Sequence, residues 1–556
     1  MIRLPAILLL CVLVLPASAV QIVEFCPDPY LTDDPDEYLV LQGEGPLNGI
    51  SVSDGEGGFR FPPGEDIHGQ VVVARNAPAY VTTHGALPDY ELFDYSTQVP
   101  EVIRGDDLRM GNSRDELILY QDGSEIQRIS WPGDVHPREG QIHYLEDGVW
   151  DRRVLLIGQS RFEPAVFPNV TLTVFVSPDS SREVFERAIQ DADREILVNI
   201  YEFSSRDMAG MLANASARGV SVQMLVEGGP VGGITPEERY ICGVLNRSGI
   251  PIYEMATQGD VHAKYRFNHA KYLVVDGESV IITSENFNDN GFPPTGSSGN
   301  RGWGVYVESP DLAGYFERVF RWDISGGVVV PMVEYAGSYP AASFEPYRTE
   351  FTPTRFEGAS VTPVLAPDTS DLILSLLNEA NSSIDIEQAY ITNQTMTELN
   401  PFLAAAIDAA RRGVVVRVLL DSYWFNTEDT ADNDEMSASL NRIARTEGLP
   451  LTARCADLMG NDMEKIHNKG VIVDGRKVLV SSINWNENSP TFNREAGLII
   501  DHPGAATYFT AVFEDDWSAS QAPEGDASGV TYSQVTALLV VVIALLGLYW
   551  YRHRRF

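Results

Sequence analysis

Residues 269–290 read HAKYLVVDGESVIITSENFNDN and residues 467–488 read HNKGVIVDGRKVLVSSINWNEN; ten of the 22 aligned positions are identical. Each segment is an apolar run, an Asp-Gly pair and a second apolar run, the pattern of a β-hairpin. Side chains two apart share one face of a strand, so His269 points with Lys271, and His467 with Lys469. A two-residue loop at Gly277-Glu278 sets Lys271 opposite Ser284 and His269 opposite Asn286. The same loop at Gly475-Arg476 sets Lys469 opposite Ser482 and His467 opposite Asn484. Each copy then gathers an imidazole, an ammonium, a hydroxyl and an amide. Such groups suit a phosphate diester, because cations and hydrogen-bond donors hold the non-bridging oxygens while an imidazole attacks or moves a proton. Two copies supply two imidazoles, one for each task. His262-Ala263-Lys264 has the same spacing without the hairpin and reads as structural or accessory.

The duplication extends outward. Residues 183–192 read as helix, 196–201 as strand, 207–218 as helix and 220–227 as strand. The order returns at 372–381, 384–390, 396–412 and 414–421. Two α/β lobes are expected, at 170–325 and 363–518, with the Gly-, Pro-, Ser- and Tyr-rich stretch 326–362 as a linker. Residues 20–135 hold short strand-like runs separated by Gly, Pro and Asp, which predicts a β-sandwich.

The chain has 556 residues, 78 Asp+Glu against 40 Lys+Arg, and a net charge of −38. That excludes a generally basic nucleic-acid binder. Lysine occurs at five places, 264, 271, 465, 469 and 477, so two of five fall in the duplicated motif. GC-rich coding or adaptation to concentrated salt accounts for the acidic, lysine-poor surface, and at ~1 M salt a Debye length of ~3 Å removes its repulsion of polyanions. Arg3, the apolar run 6–15 and Ala17-Ser18-Ala19 predict a secretory signal over 1–19. The apolar and aromatic run 535–551, followed by Arg552, His553, Arg554 and Arg555, predicts a transmembrane helix over 534–551 after a linker at 519–533, with 552–556 cytoplasmic and the lobes outside. Cys26, Cys242 and Cys455 outlast signal removal and permit at most one disulfide. Neither a metal nor a cofactor is expected.

His-x-Lys-x4-Asp followed by Ser-x-Asn, in duplicate, resembles the phospholipase D superfamily. The resemblance implies two pseudo-symmetric α/β lobes facing one another and metal-independent phosphodiester cleavage through a phosphohistidine. His269 becomes the nucleophile and His467 the general acid and then base. Lys271, Lys469, Ser284, Asn286, Ser482 and Asn484 bind phosphate, Asp276 and Asp474 hold the hairpins, and Glu495 orients a histidine. Two positions depart from the pattern. Thr283 and Ser481 stand where the family often has Gly, and Gly302 stands where the aligned copy has Glu495, so one imidazole is expected to lack a carboxylate and the choice of nucleophile stays open. Ser51–Gly55, Phe59–Gly64, Val71–Asn76 and Asp115–Tyr120 resemble a lamin-tail domain, an immunoglobulin-like sandwich that implies an unidentified ligand. The expected protein is a membrane-anchored, extracytoplasmic phosphodiesterase acting on phospholipid. An exported endonuclease acting on nucleic acid and a non-catalytic surface binding protein are the alternatives.

Overall fold

Two long strands, Phe167–Ser177 and Thr354–Ala366, pair antiparallel at the centre of the molecule, with Leu172 opposite Phe356. The computed structural model describes residues 20–520, apart from 134, 147, 152, 260, 334–336, 340–341, 396–397 and 429–431. On one side of the central pair lie, in order, Gly302–Glu308, Ser279–Thr283, Lys271–Val275, Glu195–Ile200, Ser221–Glu227 and Ile252–Met255. On the other lie Glu495–Asp501, Lys477–Ser481, Lys469–Val473, Ser383–Gln388, Val415–Leu420 and Leu451–Cys455. With the edge strand Val329–Pro331 they make one 15-stranded mixed sheet with a pseudo-twofold relation between its halves. The hairpin strands are buried on both faces, which is why they read as unbroken apolar runs rather than alternating ones.

The helices that cover the sheet show how local chemistry serves this packing. Pro310–Asp323 starts at Ser309, whose hydroxyl accepts the Leu312 amide, and buries Leu312, Phe316, Val319, Phe320 and Asp323, a spacing of three and four residues that makes one face apolar. Its twin, Pro503–Ala519, buries Phe509, Val512, Phe513, Asp516 and Trp517. Each fully buried large side chain contributes about 1.5–3 kcal/mol. The acids on the two buried stripes have another use, described below.

Two corrections to the expected organisation follow. Residues 326–362 are not simply a linker, because Thr354–Ala366 is a central strand and pairs with both Phe167–Ser177 and Glu495–Asp501. Its neighbours are well over a hundred residues away, so nothing local marks it as a strand. The segment before it also packs: the amides of Glu350 and Phe351 donate to Asp179 Oδ1 at 2.7 and 3.0 Å. The N-terminal unit, in turn, runs past residue 135. Gln141–Glu146 pairs with Gln21–Cys26 in a seven-stranded sheet, which shares a core with a five-stranded sheet.

The two-residue hairpin loops are corrected as well. Val275 pairs with Ser279 and Val473 with Lys477, so each loop has three residues, Asp276-Gly277-Glu278 and Asp474-Gly475-Arg476. Extrapolated along the strands, that register sets Lys271 level with Thr283 and Lys469 level with Ser481, rather than with the following serines. Both Asp and Gly of each loop take positive φ. The cause is the aspartate, whose carboxylate binds the amides at the start of the neighbouring strand. Asp276 accepts from Asp193, Arg194 and Glu195, and Asp474 from Asn381, Ser382 and Ser383. Burial opposes ionisation of Asp474, but these donors outweigh it and hold the carboxyl at about 2. The signal segment, the C-terminal apolar run and its tail lie outside the described residues, as does all but the start of the 519–533 linker. Among the described residues no helix is long and apolar enough to cross a membrane. Cys26, Cys242 and Cys455 are free thiols.

Candidate active site

Both motif histidines precede their first hairpin strand, and the amide of each is tied to the opposite lobe. His269 N donates to Arg494 O and His467 N to Arg301 O, both at 2.8 Å. The two arginines are buried and cross-tie the lobes in the same way. Arg301 pairs with Asp179 at 2.8 Å and with Asp516, on the last helix of the second lobe, at 2.9 Å. Arg494 pairs with Asp368 at 2.8 Å and with Asp323, on the last helix of the first lobe, at 3.0 Å. These four acids were not singled out from the sequence. For Asp323 and Asp516 the signal was an Asp at the same place on an apolar helix stripe in both copies, and for Asp179 and Asp368 a Pro-Asp pair after the equivalent strand of each copy.

The imidazoles are oriented across the lobe boundary as well. His269 Nδ1 lies 2.8 Å from Glu495 Oε2, and Glu495 also accepts the Ser482 hydroxyl at 2.5 Å and Asn493 Nδ2 at 3.0 Å. The expectation that the second imidazole lacks a carboxylate is wrong. Glu285, between Ser284 and Asn286, places Oε1 3.3 Å from His467 Nδ1, within ion-pair distance but without hydrogen-bond geometry. Gly302 is the reason it fits, since a Cβ there would stand 2.2 Å from that same oxygen. Asn300 donates to Glu285 at 2.9 Å as its aligned partner Asn493 donates to Glu495. The acid has moved to a different strand position but not to a different place. The aligned pairs Glu285/Ile483 and Gly302/Glu495 exchange acid for non-acid in opposite senses, which was the available sequence signal.

The lysines complete the pit. Lys271 Nζ donates to His269 O at 2.9 Å and lies 5.3 Å from the centre of the Tyr201 ring, while Lys469 Nζ donates to His467 O at 2.5 Å. Burial lowers Lys271 to about 8 against the pull of Glu495 and Glu285. Burial and then repulsion from Lys271 push Lys469 well below the usual range. Lys465, which sequence reading did not assign, adds to that repulsion. Burial lowers His269 to about 4, with Glu495 opposing; His467 falls well below its usual value through burial, the three lysines and His269. The main-chain bonds of His269 to Arg494 and of His467 to Arg301 bring both imidazoles and their lysines to the boundary between the lobes, where a bound anion would offset the gathered positive charge.

The remaining expected phosphate binders are less uniform. Asn286 Nδ2 donates to Glu202 at 3.1 Å, and its Oδ1 has no partner among the described residues. Asn484 Oδ1 is likewise buried without one. Ser482 Oγ donates to Glu495 and supports that carboxylate, whereas Ser284 Oγ accepts the Trp303 amide, so each hydroxyl has a partner within the protein. His262 stacks on Tyr30 at 4.4 Å, and Lys264 Nζ donates to Trp322 O, which leaves that pair outside the pit.

The lysine shift has a direct kinetic consequence. A cation titrating near 8 is present below that pH and lost above it, so kcat/KM should fall on the alkaline side of about pH 8. Lys271→Arg, whose guanidinium stays charged, should lower the plateau and move that alkaline limb upward by a pH unit or more, measured in pH profiles of both proteins. An unmoved limb would mean that Lys271 does not hold the substrate anion.

Comparison with known proteins places these features in context. The family model described as "Cardiolipin synthase, PLD-like domain" matches residues 185–324 and 373–517, just over half of the chain. A probable cardiolipin synthase of Bacillus subtilis (strain 168) is 24% identical over 356 residues, which is 60% of this chain and 63% of that protein. A mitochondrial cardiolipin hydrolase of Xenopus tropicalis is 32% identical over 118 residues, 21% of this chain and 49% of that protein. The chain thus spans less than two thirds of the curated relatives it matches. Among solved structures, phosphatidylserine synthase of Haemophilus influenzae Rd KW20 superposes with a TM-score of 0.46 at 13% identity, covering 68% of this chain and 95% of that one.

Proposed function

This chain belongs to the phospholipase D-like family that includes the cardiolipin synthase domain, and from that premise we propose that it cleaves or transfers the phosphatidyl group of phospholipids through a phosphohistidine. The observation that carries the reading is the reciprocal pairing of each motif histidine with a carboxylate of the other lobe. On His269 a proton held on Nδ1 by Glu495 leaves the Nε2 lone pair free, whereas His467 enters the step protonated on Nε2, a state the bound phosphate anion favours by offsetting the lysines around it. His269, with the shorter and better-supported pairing, attacks phosphorus; the bond to the leaving oxygen breaks, and His467 gives that oxygen its proton. Water or an alcohol then gives its proton to His467 and attacks, and the phosphorus–nitrogen bond breaks. Lys271, Lys469, Asn286 and Asn484 hold the non-bridging oxygens.

The relatives, a probable cardiolipin synthase and a cardiolipin hydrolase, favour cardiolipin-type phospholipids as substrate. The signal-like N-terminus and the apolar run 535–551 support an extracytoplasmic enzyme tethered by its C-terminal segment. The two-sheet N-terminal unit fits a lamin-tail-like module with a ligand of its own. The test is to incubate the full chain with mixed phospholipid vesicles, ethanol and EDTA and to look for phosphatidylethanol. The product is expected from the wild type and not from His269→Ala. Plasmid nicking that depends on His269, with no lipid product at any salt concentration, would replace this reading with the nuclease.

A further inference from the structure

The pseudo-twofold relation fails at one turn beside the site. In the first lobe Glu227 accepts the amide of Asn268, the residue before His269, at 2.5 Å, and the chain turns through Gly228, Gly229 and Pro230. In the second lobe Asp421 accepts the amide of Ile466, the residue before His467, at 2.7 Å, and Asn426 Nδ2 at 2.8 Å. There the chain passes Tyr423 into a short helix, Trp424–Thr427, that carries Trp424 and Phe425. The fold needs the carboxylate, and the glycine-rich turn of the first lobe shows that it does not need the rings. Yet the three rings are 37%, 58% and 46% exposed, an arrangement of adjacent large apolar groups that water disfavours.

What surrounds the rings indicates what covers them. The adjacent strand Leu451–Cys455, with Cys455 opposite Leu420, leads into a loop where Met459 is 91% exposed. That loop begins at Asp457, whose amide donates to Ser520 Oγ at 3.2 Å, while Arg454 Nη1 donates to Ser520 O at 3.0 Å. Ser520 is the last described residue. The chain that carries the apolar run 535–551 therefore leaves the lobe at this loop, within about 50 Å of reach. The same end of the lobe exposes Asp434, Glu435, Asp462 and Glu464, so its attraction to a surface is apolar rather than cationic.

We propose that Tyr423, Trp424, Phe425 and Met459 dock on the interface of a lipid bilayer and hold the two-histidine pit at its headgroups. Tyr and Trp combine an apolar body with a polar edge and suit that boundary. The proposal deepens the phospholipid reading and rests on it for the role of docking in turnover.

The test uses the full chain in phosphatidylcholine vesicles with and without brominated acyl chains. Trp424 emission is taken as the difference between the wild type and Trp424→Phe, and is expected to be lost in the brominated vesicles. The triple variant Tyr423→Ser, Trp424→Ser, Phe425→Ser should turn over long-chain phospholipid in vesicles about tenfold more slowly, with a water-soluble short-chain phospholipid unaffected. Unquenched Trp424 would overturn the proposal, as would an equal fall on both substrates. Quenching without turnover of any phospholipid would support the docking and remove the substrate assignment instead.

Discussion

His467→Asn should trap the enzyme with a phosphatidyl group on His269, lowering turnover by about 10³–10⁴-fold. The first step loses its acid and the second loses its base, so with an activated leaving group the adduct forms and is not released. Intact-protein mass spectrometry after a neutral quench should show the added phosphatidyl mass, mapped to His269. The expectation follows from the geometry of the two pairs. His269 meets Glu495 at 2.8 Å, and Glu495 is itself held by Ser482 and Asn493. His467 meets Glu285 at 3.3 Å, and burial raises the Glu285 pKa. The imidazole that is hydrogen-bonded to its carboxylate is the better-oriented nucleophile. An adduct that accumulates on His467 in His269→Asn would exchange the two roles.

Arg494→Met should lower stability by about 3–5 kcal/mol, because it leaves Asp323 and Asp368 buried without their cation. Both acids have side chains with no solvent exposure. The loss should show as a depressed thermal midpoint of the full chain. Removing the orphaned charges as well, in Arg494→Met with Asp323→Asn and Asp368→Asn, should recover part of it. The single variant should also lose activity, since Arg494 O receives the His269 amide. If it melts with the wild type, the arginine clamps do not hold the lobes together. Ser160 reaches this clamp from the segment leading into the first lobe, donating to Asp368 Oδ1 at 2.8 Å. Glu350 and Phe351 reach the Arg301 clamp in the equivalent way.

Much of this was legible from residues alone. The repeated His-x-Lys-x4-Asp hairpin led to a phospholipase D-like family, which the family match bears out. The order of helices and strands in each lobe also followed, because apolar runs and Asp-Gly turns are local signals. The register slipped by one, since counting on Asp-Gly could not show that the aspartate would spend its carboxylate on amides of a distant strand. The strand Thr354–Ala366 was mistaken for linker, because its pairing partners lie far away in sequence.

The sequence by itself determined the groups present at the site, two imidazoles, their lysines and one acid, and the duplication that supplies them in pairs. Only the tertiary structure decided which acid serves which histidine, that Glu285 replaces the acid absent at Gly302, and that two buried arginines join the lobes. The physical reason is separation along the chain: His269 and Glu495 are 226 residues apart, and a contact across an interface leaves no periodicity in either segment that makes it. Spacing within a strand is fixed by covalent geometry, whereas pairing between lobes is fixed by the packing that brings them together.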